Sequence, residues 1–346
     1  SRWQEALGTL ADMRHVKPGV VAYSAAISAC EKAEEWQQAL GILRQMRRRR
    51  IEPDTISYNA AISACEKGAR LHEALGLLNE MQQQQVDLDE VTYNAVIWAC
   101  GSSKESRSIA GVWEGMRQRQ ILPGVITYNA AISAYVKDTR WQEALVFWDE
   151  MRWRQLELDV VSYGTAISAF EMGAHAQNAL HAIAEMQQRR LEPNTMIFNA
   201  AINACQTEER LGTAMEVLAQ MQQCEVESGL VSYNTAIGVC ERGANALEAV
   251  GMLEELRQQR MEPDLISYTA TMSACEKGAQ PQKALSLMTE MCQEQIEPDV
   301  FAYRAASRAC EDSARHQDTL KIVADFQRAQ VGTKGLKPEC KERDVA

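Results

Sequence analysis

Five asparagines recur in this chain of 346 residues, each directly after an aromatic residue: Asn59, Asn94, Asn129, Asn199 and Asn234. An asparagine side chain presents a hydrogen-bond donor and an acceptor together, so it can address the hydrogen-bonding edge of a nucleobase. Asparagine is also a poor helix former, and packing of the neighbouring aromatic ring does not require it. We therefore expect these side chains to take part in binding.

The aromatic residues recur at a step of 35 residues, and nine of them keep this step without a slip: Tyr23, Tyr58, Tyr93, Tyr128, Tyr163, Phe198, Tyr233, Tyr268 and Tyr303. A period between about 20 and 50 residues is typical of stacked repeats. We number each repeat so that its aromatic residue is position 4. The composition is 46% hydrophobic, and the prominence of Ala, Leu, Glu and Gln suits helices.

Repeat 2 shows how one unit is expected to fold. Tyr58, Ala61, Ile62 and Cys65 lie at i, i+3, i+4 and i+7, which is one face of a helix, and Gly68 is expected to end that helix as its C-cap. A second apolar stripe predicts a second helix: Leu71, Ala74, Leu75, Leu78 and Met81. Since one hairpin cannot bury both stripes, the predicted fold class is all-α, an α-solenoid built as a superhelical stack of helix-turn-helix hairpins.

The repeats divide the chain into three parts. Residues 1–19 are predicted to form the second helix of a truncated leading repeat, residues 20–334 nine repeats, and residues 335–346 a polar tail. The ninth repeat is degenerate, with Arg304 in place of the usual asparagine, and is expected to cap the stack. Because the chain begins at Ser1 rather than Met, we expect a fragment or processed form that lacks its targeting segment. No apolar run approaches the length of a membrane span.

The cysteine and methionine columns are interpreted as packing positions. Seven of the ten cysteines share one column, in which Tyr135 and Phe170 take the other two places, and the chain has no C-x-x-C pair, so neither zinc nor disulfides are expected. Leu256 and Phe326 likewise interrupt the methionine column. The five histidines share no column, and no phosphate loop or catalytic constellation is present. We therefore predict no metal, no cofactor and no enzymatic activity.

The repeat motif resembles the pentatricopeptide repeat family. Each unit has V-x-Y-N near its start, E-A-L in its second helix, and M followed by P-D at its end, as residues 125–159 and 265–299 show. The resemblance covers nearly the whole chain. The related tetratricopeptide repeat has a period of 34 residues and a different aromatic pattern, neither of which occurs here.

The resemblance implies binding of single-stranded RNA, one base per repeat, through two or three side chains. In the family, positions 5 and 35 recognise the base together, and the 5′ end of the RNA lies toward the N-terminus. The base-recognising pairs implied for repeats 1 to 8 are Ser24 with Asp54, Asn59 with Asp89, Asn94 with Gly124, Asn129 with Asp159, Gly164 with Asn194, Asn199 with Gly229, Asn234 with Asp264, and Thr269 with Asp299. The implied target is 5′-GUnUnnUG-3′, and repeat 9 is expected to recognise no base.

Two further columns are expected to contact RNA. Position 2 is apolar throughout and is implied to sandwich the bases: Val21, Ile56, Val91, Ile126, Val161, Met196, Val231 and Ile266. Position 13 is basic in five repeats and is a candidate for phosphate contacts: Lys32, Lys67, Lys137, Arg242 and Lys277. About five such contacts would give a salt slope of about −3 to −4.

Alternative interpretations remain open at this stage. Asp, Asn and Gly are good N-caps, so position 35 could serve capping alone, and the position 13 residues could serve the helix dipole. The formal charge of −11 and the glutamates at position 12 count against RNA binding. A scaffold that binds a protein partner is therefore the alternative, and a nuclease in a missing terminal domain is a third possibility. The resemblance also implies a chloroplast or mitochondrial location and a role in RNA processing, stability or translation.

Overall fold

A computed structural model describes residues 3–5, 8, 18–205, 211–224, 226 and 228–312. These residues form helices and turns without a β-strand, so the predicted all-α fold is confirmed. Most of the predicted leading helix, the second helix of repeat 9 and the predicted tail at 335–346 lie outside the described residues. None of the described helices is both long and apolar enough to cross a membrane.

Repeats 1 to 8 each contribute a first and a second helix, and the described part of repeat 9 contributes a first helix; most of these helices are thirteen residues long. The first helices are α1 (Val20–Lys32), α3 (Thr55–Lys67), α5 (Glu90–Ser102), α7 (Val125–Lys137), α9 (Val160–Met172), α11 (Thr195–Ala204), α13 (Leu230–Arg242), α15 (Leu265–Lys277) and α17 (Val300–Asp312). The second helices are α2 (Trp36–Arg48), α4 (Leu71–Gln83), α6 (Ile109–Gln118), α8 (Trp141–Trp153), α10 (Ala176–Gln188), α12 (Leu211–Gln223), α14 (Ala246–Gln258) and α16 (Pro281–Gln293). A short 3-10 turn at Ser106–Ser108 precedes α6.

The helices are arranged in two compact units, Ser1–Gly173 and Ala174–Ala346. Within each unit the first helices of successive repeats pack directly against one another, while the second helices mainly contact the first helices on either side. Small residues allow this close approach, because a Cβ added to Gly101 on α5 would lie 3.0 Å from the Cβ of Ala134 on α7. Each unit is therefore an α-solenoid whose first helices form one continuous layer.

The core consists of the columns that the sequence assigned to packing. The aromatic rings from Tyr23 to Tyr268 are buried, and so are the cysteine column from Cys30 to Cys275 and the methionine column from Met46 to Met291. One prediction within the second helix of repeat 2 was wrong. Leu75 is only half-buried and Leu77 is buried in its place, because the face of α4 that packs is rotated slightly from the predicted stripe.

The first helix of repeat 2 ends as predicted, although Gly68 is not in the left-handed conformation. Gly68 is the C-cap with φ of −82°, and the left-handed residue is the next one, Ala69, at φ 51°. The Arg70 amide then donates to the Cys65 carbonyl at 2.8 Å, which completes a Schellman motif. The small size of Gly68 is needed for packing instead, since a Cβ there would come within 2.5 Å of the Trp36 ring.

Burial of the cysteine column predicts that its thiols are unreactive in the folded protein. Burial raises the pKa of Cys65, Cys100 and Cys240 to about 12, so that only about 10⁻⁴ of each thiol is ionised at pH 8. The exposed Cys292 is the internal control. In iodoacetamide labelling at pH 8 followed by peptide mass spectrometry, Cys292 should react while the three buried thiols react only after unfolding in urea. Labelling of Cys65 as fast as Cys292 would contradict this packing.

Candidate nucleic-acid interface

Position 35 caps the first helix of the following repeat wherever it carries a polar side chain. The oxygen of each side chain accepts a hydrogen bond from the backbone amide at position 3, over 2.8 to 3.1 Å, at Asp54, Asp89, Asp159, Asn194, Asp264 and Asp299. Position 35 therefore does cap the following helix, as the capping interpretation of this column expected. Capping does not account for a further contact that Asp54, Asp89, Asp159 and Asp264 make with the position 5 residue of their own repeat.

A buried hydroxyl at position 3 is a part of the site that sequence reasoning missed. Four of these hydroxyls donate to the capping carboxylate of the same junction over 2.6 to 2.9 Å, from Ser57, Thr92, Ser162 and Ser267. Three of the junctions are complete capping boxes, in which the hydroxyl also accepts from the N-cap amide. The signal was available in the sequence, because Ser or Thr occupies position 3 in six repeats directly before the tyrosine.

The predicted partners at positions 5 and 35 are brought together where position 35 is aspartate and position 5 is asparagine. The Nδ2 atom of the asparagine donates to the Oδ1 atom of the aspartate at 3.2 Å for Asn59 and Asp89. The equivalent distance is 3.4 Å in repeat 4 and 3.1 Å in repeat 7. In repeat 1 the hydroxyl oxygen of Ser24 lies 3.4 Å from Asp54 Oδ1 and closer, at 2.9 Å, to the Val20 carbonyl oxygen.

The hydroxyl at position 3 also fixes how the asparagine amide is turned. The single hydrogen of the Thr92 hydroxyl is shared between Asp89 Oδ1 and Asn59 Oδ1, which lies 2.7 Å from Thr92 Oγ1. The hydrogen of the Ser267 hydroxyl is likewise shared between Asp264 Oδ1 and Asn234 Oδ1, which lies 2.6 Å from Ser267 Oγ. The amide oxygen is thus held by the hydroxyl and one amide hydrogen by the carboxylate. The second hydrogen on Nδ2 is not used by either contact, so the junctions of repeats 2 and 7 present an oriented donor beside an acceptor.

The carboxylates that pair with asparagine in repeats 2, 4 and 7 have lowered pKa values and are held in their charged form. Burial alone would raise the pKa of Asp89, but hydrogen bonds from the Thr92 hydroxyl and amide and from Asn59 outweigh it and leave the pKa below its usual range. The same balance of burial against hydrogen bonds lowers the pKa of Asp159 and of Asp264. A negative charge is therefore fixed beside the asparagine in repeats 2, 4 and 7.

In some repeats only part of this hydrogen-bonded arrangement is present. Four polar atoms at position 5 are buried and have no hydrogen-bond partner among the described residues: Asn94 Oδ1, Asn129 Oδ1, Asn199 Oδ1 and Thr269 Oγ1. Asn94 and Asn199 have glycine at position 35 of their repeats, and no side-chain cap is present at either glycine. Repeat 5 has glycine at position 5, so the side chain of Asn194 acts there as a helix cap.

The position 2 column is exposed although every member is apolar. Across repeats 1 to 9 the exposed fraction of these residues is 56 to 82%, from Val161 and Phe301 at the low end to Val21 at the high end. Position 2 precedes position 5 by three residues, so both lie on the same face of the first helix. Each unit therefore presents alternating apolar and polar groups along its layer of first helices.

The five basic residues at position 13 are all exposed, and two of them pair with a glutamate of the preceding repeat. Lys67 Nζ lies 3.2 Å from Glu31 Oε1, and Lys277 Nζ lies 3.2 Å from Glu241 Oε1. Lys137 instead lies over the ring of Trp98, 5.8 Å from its centroid. Exposed ion pairs contribute little to stability, so these lysines can exchange their partner for a phosphate at small cost.

Within the part of the chain that the structure describes, no group of three or more His, Cys, Asp and Glu side chains could hold a metal ion. The arrangement at positions 2, 3, 5 and 35 offers oriented hydrogen-bonding groups and exposed apolar surface. Its chemistry is that of recognition of a planar polar ligand.

Family models match the repeats along most of the chain. The pentatricopeptide repeat domain matches residues 76–138 and 251–312, the PPR repeat family residues 18–67 and 123–172, and the PPR repeat residues 56–86. The chain belongs to the pentatricopeptide repeat family. A search of curated protein sequences gave no match.

Solved pentatricopeptide repeat structures share the fold. PPR10 from maize is 21% identical, with a TM-score of 0.64, over 97% of this chain and 52% of that one. PPR10 in complex with an 18-nucleotide psaJ RNA element is 19% identical, with a TM-score of 0.61, over 98% of this chain and 54% of that one. The chain spans about half the length of these pentatricopeptide repeat structures, and at this identity the likeness shows the fold alone.

The capping contacts predict a stability effect at Asp264. Asp264→Ala removes the cap of α15 and should lower the free energy of unfolding by about 1 kcal/mol, whereas Asp264→Asn keeps an acceptor and should cost only a few tenths. Because the folded pKa of Asp264 is depressed, its contribution is present above about pH 4 and is lost as the pH falls through the folded pKa.

Urea unfolding followed by circular dichroism at pH 7 and pH 3 measures both effects. The difference between the wild type and Asp264→Ala should shrink at pH 3. Equal destabilisation by the alanine and asparagine variants would mean that the side chain does not act as a cap.

Proposed function

We propose that this pentatricopeptide repeat protein binds single-stranded RNA with sequence specificity, one base per repeat, through positions 5 and 35. The observation that carries the proposal is the hydrogen-bonded pair of asparagine and aspartate in repeats 2, 4 and 7, beside an exposed apolar residue on the same helix face. Structural capping requires the aspartate but does not require the asparagine. The binding of RNA by PPR10 in its complex supports the same use of the fold.

The orientation of the pair favours uracil. The unused hydrogen on Asn59 Nδ2 donates to a uracil carbonyl, and the carboxylate of Asp89 accepts from the neighbouring imino N–H. Cytosine has an acceptor at that ring nitrogen, which would face the charged carboxylate and be rejected, since an unpaired buried acceptor costs about 1–3 kcal/mol. Ser24 and Thr269 are shorter than asparagine and leave room for a purine, which fits guanine in repeats 1 and 8.

The exposed column at position 2 gives each base a second contact. A base lying against Ile126 or Val91 removes apolar surface that is otherwise in water, and every base has a face for such a contact. The column therefore supports affinity without selecting a base, and selection is left to positions 5 and 35. The basic residues at position 13 supply phosphate contacts, for which Lys67 and Lys277 first leave their glutamate partners.

The proposed setting is RNA processing, stability or translation in a chloroplast or mitochondrion, on the ground of family membership. The alternative function is a scaffold that binds a protein partner on the same face. The charge of −11 and the pairing of Lys67 and Lys277 with glutamates favour this alternative, because an acidic surface repels RNA.

Binding of defined RNAs separates the two functions. The octamer 5′-GUAUAAUG-3′, which has the bases proposed for repeats 1, 2, 4, 7 and 8, should bind at least about tenfold more tightly than a scrambled octamer or duplex RNA. Its affinity should fall with salt at a slope of about −3 to −4. Fluorescence anisotropy at two salt concentrations measures this, and equal weak binding of all three RNAs would favour the protein-binding scaffold.

A single substitution tests whether position 5 recognises the base. Asn129→Thr should move the preference of repeat 4 from uracil toward guanine by about tenfold in relative affinity, because the shorter hydroxyl makes room for a purine. Asn79→Thr, the same change at an exposed site on the second helix α4, is the matched control and should leave the preference for uracil in place. Fluorescence anisotropy with four octamers that differ only at the fourth base measures this preference. If Asn129→Thr still prefers uracil as the wild type does, position 5 does not recognise the base.

A further inference from the structure

Repeat 3 contains a carboxylate that takes the place of the missing aspartate at position 35. Position 35 is Gly124, yet the position 3 hydroxyl of the next helix, Thr127 Oγ1, still donates to a carboxylate, at 2.8 Å. That carboxylate belongs to Glu90, at position 1 of repeat 3. Glu90 Oε1 also accepts from the backbone amide of Gly124 at 3.1 Å.

The Glu90 side chain occupies the volume that an aspartate side chain would fill. A Cβ added to Gly124 would lie 2.7 Å from Glu90 Oε1 and 3.5 Å from its Cδ. At the four junctions that have aspartate at position 35 and a hydroxyl at position 3, an aspartate oxygen accepts from that hydroxyl over 2.6 to 2.9 Å. The absence of a side chain at Gly124 is therefore what allows Glu90 to reach across to the next helix.

Glu90 also lies beside the base-recognition position of its own repeat. Asn94 follows it by four residues on α5 and hence lies on the same helix face. The side chain of Asn94 is only 9% exposed, and its Oδ1 atom has no hydrogen-bond partner among the described residues. Repeat 3 thus has a carboxylate close to its asparagine, as repeats 2, 4 and 7 do, but here position 1 of the same helix supplies it instead of position 35.

Repeat 6 has the same residues at positions 5 and 35 but no acidic residue at position 1. Its position 1 is Thr195, and a Cβ added to Gly229 would meet nothing within 4 Å. Both Asn199 Oδ1 and Ser232 Oγ are buried without a hydrogen-bond partner among the described residues. Repeat 6 is therefore a natural control for repeat 3 within the same chain.

We propose that Glu90 is a specificity-determining residue that makes repeat 3 select uracil, whereas repeat 6 discriminates little among the bases. The inference rests on the proposed RNA-binding function and changes the target to 5′-GUUUnnUG-3′. The carboxylate of Glu90 is what separates the two repeats, although their residues at positions 5 and 35 are identical.

The experiment measures the affinities of octamers that carry each of the four bases at position 3, 4 or 6, with the other positions as in 5′-GUUUAAUG-3′. In the wild type, uracil should be preferred over cytosine by about tenfold at positions 3 and 4 and by less than about twofold at position 6. Glu90→Ala should abolish the preference at position 3 and keep it at position 4.

Glu90→Ala also removes the hydrogen bonds to the Gly124 amide and the Thr127 hydroxyl, so a second variant keeps the test independent of stability. Thr195→Glu adds a carboxylate to repeat 6 and should create a uracil preference of about tenfold at position 6. Two results would overturn the role of Glu90 and leave the proposed function intact. The first is a wild type that prefers uracil at position 4 but not at position 3, and the second is a uracil preference at position 3 that survives Glu90→Ala. No preference at position 4 would overturn the proposed function and this inference together.

Discussion

Close packing between the first helices of successive repeats is the constraint on which the rest of each unit depends. A single hairpin cannot bury its two apolar stripes, so stability comes from stacking. The approach is close enough that Gly101 and Ala134 leave no room for a further methyl group. This spacing fixes the distance between a residue at the start of one first helix and the residue that caps the next. All of the contacts between positions 5 and 35 follow from it.

The capping aspartate joins stability to recognition in a single side chain. Its oxygen accepts from the amide and the buried hydroxyl at position 3 of the next helix, and it also accepts from the asparagine at position 5 of its own repeat. A group already held by the fold needs little ordering when a ligand arrives, which is the condition for specific recognition at low entropic cost. The same reasoning applies to Glu90 in repeat 3, whose carboxylate comes from position 1 and accepts from the equivalent hydroxyl, that of Thr127.

The sequence predicted the parts of the structure that depend on periodicity. From repeat 1 to repeat 8 the aromatic, cysteine and methionine columns are buried as expected, and the end of α3 at Gly68 falls where the pattern placed it. Contacts between helices were harder to predict, because they depend on the separation of two elements that are distant in sequence. The link from Thr92 to Asn59 and the reach of Glu90 to Thr127 are of this kind. The burial of Leu77 rather than Leu75 depends on a small rotation of α4, which a periodic pattern cannot specify.

The central claim is that each pair of asparagine and carboxylate selects one base. Selection of RNA from a pool with eight randomised positions, followed by sequencing of the bound fraction, tests this most directly. The account predicts separate enrichment of uracil at the positions facing repeats 2, 3, 4 and 7, enrichment of guanine at those facing repeats 1 and 8, and little enrichment at the one facing repeat 6. Enrichment of one base composition without dependence on position would contradict it.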